Sequence, residues 1–209
     1  VLQEKNADNV FCRSYATIPN DNLTPQQTPS DHISNPSIPA YQNGVIPLNS
    51  RPNTTAVIYL DFDGAQGPFQ SWSGAGTFTA APANNGNTDI RNVWERVCED
   101  FAPYSVNVST DLAAFNNAPE TSRIRCIITP TDDAGPGAGG VAYVGSFNWA
   151  GDAPCWVFIT SGKNCAEAIS HEVGHSMGLS HDGRISPVEE YYSGHRANGP
   201  NSIETGWAP

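Results

Sequence analysis

The stretch His171-Glu172-Val173-Gly174-His175-Ser176-Met177-Gly178-Leu179-Ser180-His181-Asp182 decides how the chain reads. It continues a helical pattern: Ala166, Ile169, Val173 and Met177 fall on or near one face of a helix expected over 164–178. His171 and His175 lie one helical turn apart, so their imidazoles project from the same face and can hold one ion. Neutral imidazole suits zinc, at nitrogen–metal distances of about 2.0–2.1 Å. A straight helix cannot supply a third ligand without crowding the first two. Gly178 removes that obstacle, because glycine adopts the left-handed conformation that ends a helix and turns the chain. His181 then swings back toward the metal. Three histidines leave the fourth tetrahedral position to water, as in catalytic rather than structural zinc sites.

Glu172 follows the first histidine and is expected beside the metal rather than on it. There it can take a proton from water whose pKa the metal has lowered toward about 7, and hand it to a leaving nitrogen. The chemistry is peptide-bond hydrolysis without a covalent intermediate. His-Glu-x-x-His alone arises by chance in about one chain in a few hundred of this length. Gly178 and His181 at fixed offsets lower that by roughly a further several hundred.

Upstream, Cys155 to Thr160 and Val141 to Phe147 read as strands, separated from Arg123 to Thr129 by the flexible run Gly135-Pro136-Gly137-Ala138-Gly139-Gly140. Tyr104 to Ser109 alternates as a strand, and Asp111 to Phe115 reads as a short helical turn. Ile90, Val93, Trp94, Val97 and Phe101 recur at helical spacing over 89–101, stopped by Pro103. Thr55 to Asp61 is a β-branched and aromatic run ended by Asp63-Gly64, which reads as a buried strand. Residues 64–87, rich in Gly, Ala, Pro and Asn, read as a long irregular connection. The order β-α-β-β-β-β-α predicts an α/β fold: a twisted sheet of about five strands with two main helices on one face. Residues 54–209 form the expected catalytic domain. Residues 1–53, punctuated by seven prolines from Pro19 to Pro52, read as an extended pro-segment or linker.

Composition narrows the partners. Asp and Glu number 21 against 10 Lys and Arg, a formal charge of −11. Such a chain repels phosphate backbones and anionic lipid, which excludes nucleic acid as the expected partner. No apolar run approaches the 20 or so residues of a membrane span. The low charged fraction, the two lysines (Lys5 and Lys163) and the abundance of Gly, Pro and Asn lean toward a secreted protein. Five cysteines form no C-x-x-C pair. Two disulfides and one leftover thiol are expected: Cys155–Cys165 flank one strand-to-helix connection, and Cys98–Cys126 lie on faces that should meet. Asp61, Asp63 and Asp89 are candidates for a Ca2+ site, although no EF-hand loop is present and solvated carboxylates are the plainer reading.

The string from His171 to Asp182 resembles that of the metzincin zinc peptidases, and the Asp after the third His resembles the reprolysin (adamalysin) branch. Ile58-Tyr59-Leu60-Asp61-Phe62-Asp63-Gly64, Trp94-Glu95-Arg96-Val97, Glu99-Asp100-Phe101-Ala102-Pro103 and Gly140-Val141-Ala142-Tyr143 are similar to segments of secreted bacterial reprolysin-like peptidases. The resemblance implies a metzincin-like sheet, His171, His175 and His181 as zinc ligands and Glu172 as general base. It also implies that Gly140, Val141, Ala142 and Tyr143 line the cleft, where an extended protein or peptide substrate pairs with the strand edge. The plainer alternative for these four residues is an ordinary edge strand.

Two departures accompany the resemblance. Metzincins carry a Met-containing turn after the third histidine, whereas Met177 lies inside the helix and the turn is expected beyond Pro209, leaving the C-terminal subdomain incomplete. Many metzincins are also kept latent by a pro-segment cysteine on the zinc. Cys12 is the leftover cysteine and a candidate for that role, although Phe11-Cys12-Arg13-Ser14 differs from the matrixin switch motif. A disulfide or a free thiol is the alternative. The whole reads as a secreted zinc endopeptidase with its pro-segment as intramolecular inhibitor. The rivals are a zinc-containing peptide-binding module without turnover and a zinc enzyme acting on a small amide.

Overall fold

The computed structural model describes residues 44–69, 72 and 78–181 in full, and 4–6, 9–14, 195–196 and 204–205 through their backbone. In chain order the elements are β1 (Glu4–Asn6), β2 (Asn9–Ser14), β3 (Val57–Asp61), β4 (Ala65–Gln66), β5 (Thr79–Ala80), α1 (Asn87–Asp100) and β6 (Asn107–Ser109). They continue with α2 (Leu112–Asn117), β7 (Arg123–Ile128), β8 (Gly140–Tyr143), β9 (Cys155–Val157), α3 (Gly162–Ser176), β10 (His195–Arg196) and β11 (Glu204–Thr205). The main sheet runs β1-β2-β8-β9-β7-β3-β6. Its centre, β9-β7-β3-β6, is parallel, and β8 joins β9 antiparallel. These five strands and the two long helices are the mixed α/β arrangement expected from the order of elements.

All five residues of β3 are buried, because a central parallel strand is covered on both faces. Alternation divides them: Ile58 and Leu60 enter one core, Val57 and Tyr59 the other. The first core also takes Ile90, Val93 and Val97 from α1 and Ile169 and Val173 from α3, so both helices lie on that face. On the opposite face Tyr59 stacks on Phe115 of α2 at 5.4 Å. Farther along, Val141, Tyr143 and Trp156 are roofed by Phe69, Trp72 and Phe78. The Trp72 indole donates to the Pro154 carbonyl at 2.9 Å. The glycine-rich connection 64–87 therefore carries part of the core, where an irregular link was expected.

Three further differences have physical causes. The fourth expected strand ends at Tyr143, because Gly145 turns with φ +79° into a 3-10 turn over Ser146–Asn148. Order reaches upstream of Thr54: Val45, Ile46 and Leu48 are buried, and Thr110 Oγ1 bridges the Leu48 N–H and the Ile46 carbonyl. Prolines 47 and 52 interrupt any regular period there without preventing burial. The expected disulfides are not formed: Cys98, Cys126, Cys155 and Cys165 are all free thiols. Cys155 instead stands opposite Cys126 across β7 and β9. Closeness in sequence, as for Cys155 and Cys165, does not give two sulfurs the narrow geometry of a bridge. Burial pushes the Cys98 and Cys165 thiols up to about 12, and Cys126 also rises, so these groups pack as protonated apolar side chains. Among the described residues no helix is long and apolar enough to cross a membrane.

Ile169, fully buried between α3 and the sheet, tests whether this packing holds the helix that carries the histidines. Ile169→Ala should cost about 2–5 kcal/mol in urea denaturation. A loss below about 0.5 kcal/mol, the range of surface substitutions, would contradict the packing described.

Candidate metal centre

α3 presents His171, Glu172 and His175 and stops directly after them. Its end is a Schellman motif. The Gly178 N–H donates to the His175 carbonyl at 2.8 Å, and the Leu179 N–H to the Gly174 carbonyl at 3.0 Å. Gly178 has φ +98°, the left-handed conformation that the turn demands. A Cβ there would meet nothing within 4 Å, so its requirement is purely conformational. The chain then reverses and returns His181 to the helix end.

The result is a triangle of imidazole nitrogens. His175 Nε2 lies 2.9 Å from His171 Nε2 and 3.1 Å from His181 Nε2, and the last two are 3.0 Å apart. Leu179 fixes one corner, since its carbonyl lies 2.7 Å from His175 Nδ1. That contact holds the proton on Nδ1 and leaves the Nε2 lone pair facing the other two rings. Three lone pairs aimed at one point repel unless a cation lies among them. Tetrahedral zinc with bonds of about 2.0–2.1 Å separates its donors by roughly 3.3–3.4 Å, close to the spacing found. Burial first, then the mutual influence of His175 and His181, lowers His171 to about 3, and burial also lowers His175. Both rings are neutral at pH 7, the form that binds metal. Among the described residues this is the group of histidine, cysteine and carboxylate side chains close enough to share one ion. The donor set fits a zinc site.

Glu172 is fully buried, with its side chain packed against Gly140 at the start of β8. Beside it, Gly140 and Ala142 of β8 turn toward α3, while Val141 and Tyr143 point into the aromatic core. The Gly145 N–H donates to the His175 carbonyl at 2.9 Å, tying the end of β8 to the metal helix. The edge of β8 away from β9 is taken by β2, antiparallel, with Phe11, Cys12, Arg13 and Ser14 opposite Tyr143, Ala142, Val141 and Gly140. The Cys12 side chain lies outside the described residues, as does Asp182. Of the calcium candidates, Asp61 pairs with Arg125 at 3.5 Å, and Arg125 also reaches Asp152 at 2.9 Å. Burial, followed by a hydrogen bond with Asp63, raises Asp61. Asp89 accepts from the Asn85 side chain and, at 3.3 Å, from the Gly162 N–H at the start of α3. The Leu179 carbonyl is the site group that sequence reasoning missed, because every residue carries a carbonyl and none announces its direction.

Two outcomes follow. In metal-free protein, unfolded imidazole takes protons near 6.5 whereas folded His171 does so only near 3, so acid favours the unfolded chain. Stability should fall by roughly 1–2 kcal/mol between pH 7 and 5, and His171→Asn should remove its share of that fall. An identical pH slope in the variant, read by urea denaturation, would contradict the neutral buried ring. Gly178→Ala should cost about 1–2 kcal/mol and weaken zinc binding, measured by calorimetry. Unchanged stability and affinity would contradict the turn's role.

Comparison with protein families matches residues 101–182 to the metallo-peptidase family M12B, reprolysin-like. Comparison with curated proteins and with solved structures gives no match. The matched segment runs from the end of α1 through β8, β9 and α3 to the residue after the third histidine, and so contains the whole nitrogen triangle. The segment from Phe101 to Asp182 is thus similar to reprolysin-like zinc peptidases of metzincin type, the kinship that its histidine string suggested.

Proposed function

We propose that the chain is a secreted zinc-dependent endopeptidase held latent by its own N-terminal segment. The observation that carries this reading is the convergence of His171, His175 and His181 on one point, with Glu172 on the same helical turn. Zinc held there would polarise a peptide carbonyl and lower the pKa of an attacking water to about 7. Glu172 is the general base: its carboxylate takes the proton of the water and passes it to the leaving amine nitrogen. The neutral imidazoles keep their Nε2 lone pairs for the metal, and the Leu179 carbonyl holds the His175 ring in register. The reprolysin-like match supports protein or peptide as the substrate.

An extended substrate would lie along Gly140, Val141, Ala142 and Tyr143, held by main-chain hydrogen bonds to the edge of β8. That edge already accepts a strand, β2, in antiparallel register, which supports the N-terminal segment as the substrate's stand-in. In the latent form Cys12, whose Cα pairs with that of Ala142, is the proposed thiolate ligand. Secretion rests on the lysine-poor, Asn-rich composition.

Glu172→Ala should retain zinc and lose about 10²–10⁴-fold in peptide hydrolysis. Cleavage at the parent's rate would remove Glu172 from the mechanism. Cutting the chain within residues 20–53, or Cys12→Ser in the uncut chain, should raise the rate on a quenched fluorescent peptide. Equal rates before and after the cut would refute latency.

A further inference from the structure

We infer that Gly140 is the positioning residue for Glu172: it leaves the space that the glutamate side chain fills, and so sets where the carboxylate sits. This rests on Glu172 as the base, but its structural half can be tested separately. A Cβ built on Gly140 would lie 2.6 Å from Glu172 Oε1, 2.7 Å from Glu172 Cγ and 2.8 Å from the Trp156 carbonyl oxygen. All three are closer than van der Waals contact allows. Gly140 opens β8 and has neither a positive φ nor a turn to explain it. A glycine inside a strand marks close approach of another group, and here that group is the glutamate of the metal helix.

The contact has little freedom to relax. The Trp156 carbonyl belongs to β9, and its ring is wedged edge-on against Phe69 at 5.3 Å and Trp72 at 6.2 Å. β8 is held against β9, with Gly140 in register with Val157. α3 cannot retreat without taking His171 and His175 with it. Its buried Ile169 and Val173 fix it on the sheet, and Gly145 ties it to the end of β8. A methyl group at position 140 therefore moves the Glu172 side chain, by close to 1 Å if ordinary contact is to be restored. Catalytic groups work within about 0.5 Å of their productive position. A misplacement of about 1 Å costs on the order of 10²-fold in rate. Ala142, two residues along the same face, does carry a methyl group against α3 and is fully buried. The requirement for glycine is thus local to the glutamate and is not a property of the whole strand–helix contact.

The test is a double-mutant cycle in the full, zinc-loaded chain with Gly140→Ala, Glu172→Ala and both together. Two readouts are taken: the urea midpoint, and turnover of a quenched fluorescent peptide after the cut within residues 20–53. Gly140→Ala should keep one zinc while kcat falls about 10²-fold, far more than KM changes. It should lower the urea midpoint in the parent and lower it much less when residue 172 is alanine, because two of its three close contacts are with Glu172. Equal shifts of midpoint in both backgrounds, or an unchanged kcat, would overturn the proposal. If Gly140→Ala alone does not fold, the double variant should. Failure of both would assign the glycine to the Trp156 carbonyl and refute the inference. Full activity in Glu172→Ala would instead sink the general-base reading, while the coupling in stability would still report on the glycine.

Discussion

A helix that continued past Met177 would carry residue 181 about 240° around the axis from His175, and its imidazole could never meet the other two. The site depends on that helix stopping where it does. Gly178 supplies the left-handed residue, and the two hydrogen bonds of the Schellman turn reverse the chain within one residue. The same turn orients the site it creates. Leu179 gives its N–H to the helix and its carbonyl to His175, so one residue both closes the helix and selects the tautomer of a ligand. Terminating the helix and presenting the metal donors are thus a single structural event.

The helix must also lie close to the sheet, and small residues permit this. Gly140 and Ala142 of β8 face α3, with Ala166 of the helix in the same core. On the far side of the strand the large residues Val141, Tyr143 and Trp156 fill the space beneath the 69–78 aromatics. β8 thus separates a thin, closely packed side from a thick aromatic one. Glu172 occupies the thin side, where its side chain lies against Gly140.

Much of this is legible in the residues because it is local. The run Val57–Asp61, the spacing of Ile90, Val93 and Val97, and the histidine string with its glycine each state their structure within a few positions. What is hidden is set by partners far along the chain. The pairing of Cys12 with Ala142 spans the whole proline-rich segment, and no periodicity announces it. Phe69, Trp72 and Phe78 sit in a stretch whose glycines and asparagines read as linker, yet three aromatics suffice to bury Trp156. The expected cysteine pairs are not bridged, because a disulfide needs sulfur geometry that neither spacing nor face assignment contains. The early end of the fourth strand turns on Gly145, whose positive φ becomes visible only in the fold.

Three nitrogens sharing one ion would be read directly by X-ray absorption at the zinc edge of the metal-loaded chain. The expected result is one zinc per chain with three imidazole nitrogens at about 2.0–2.1 Å. A shell of oxygens alone, or equal uptake of zinc by a chain in which His171, His175 and His181 are all asparagine, would contradict it.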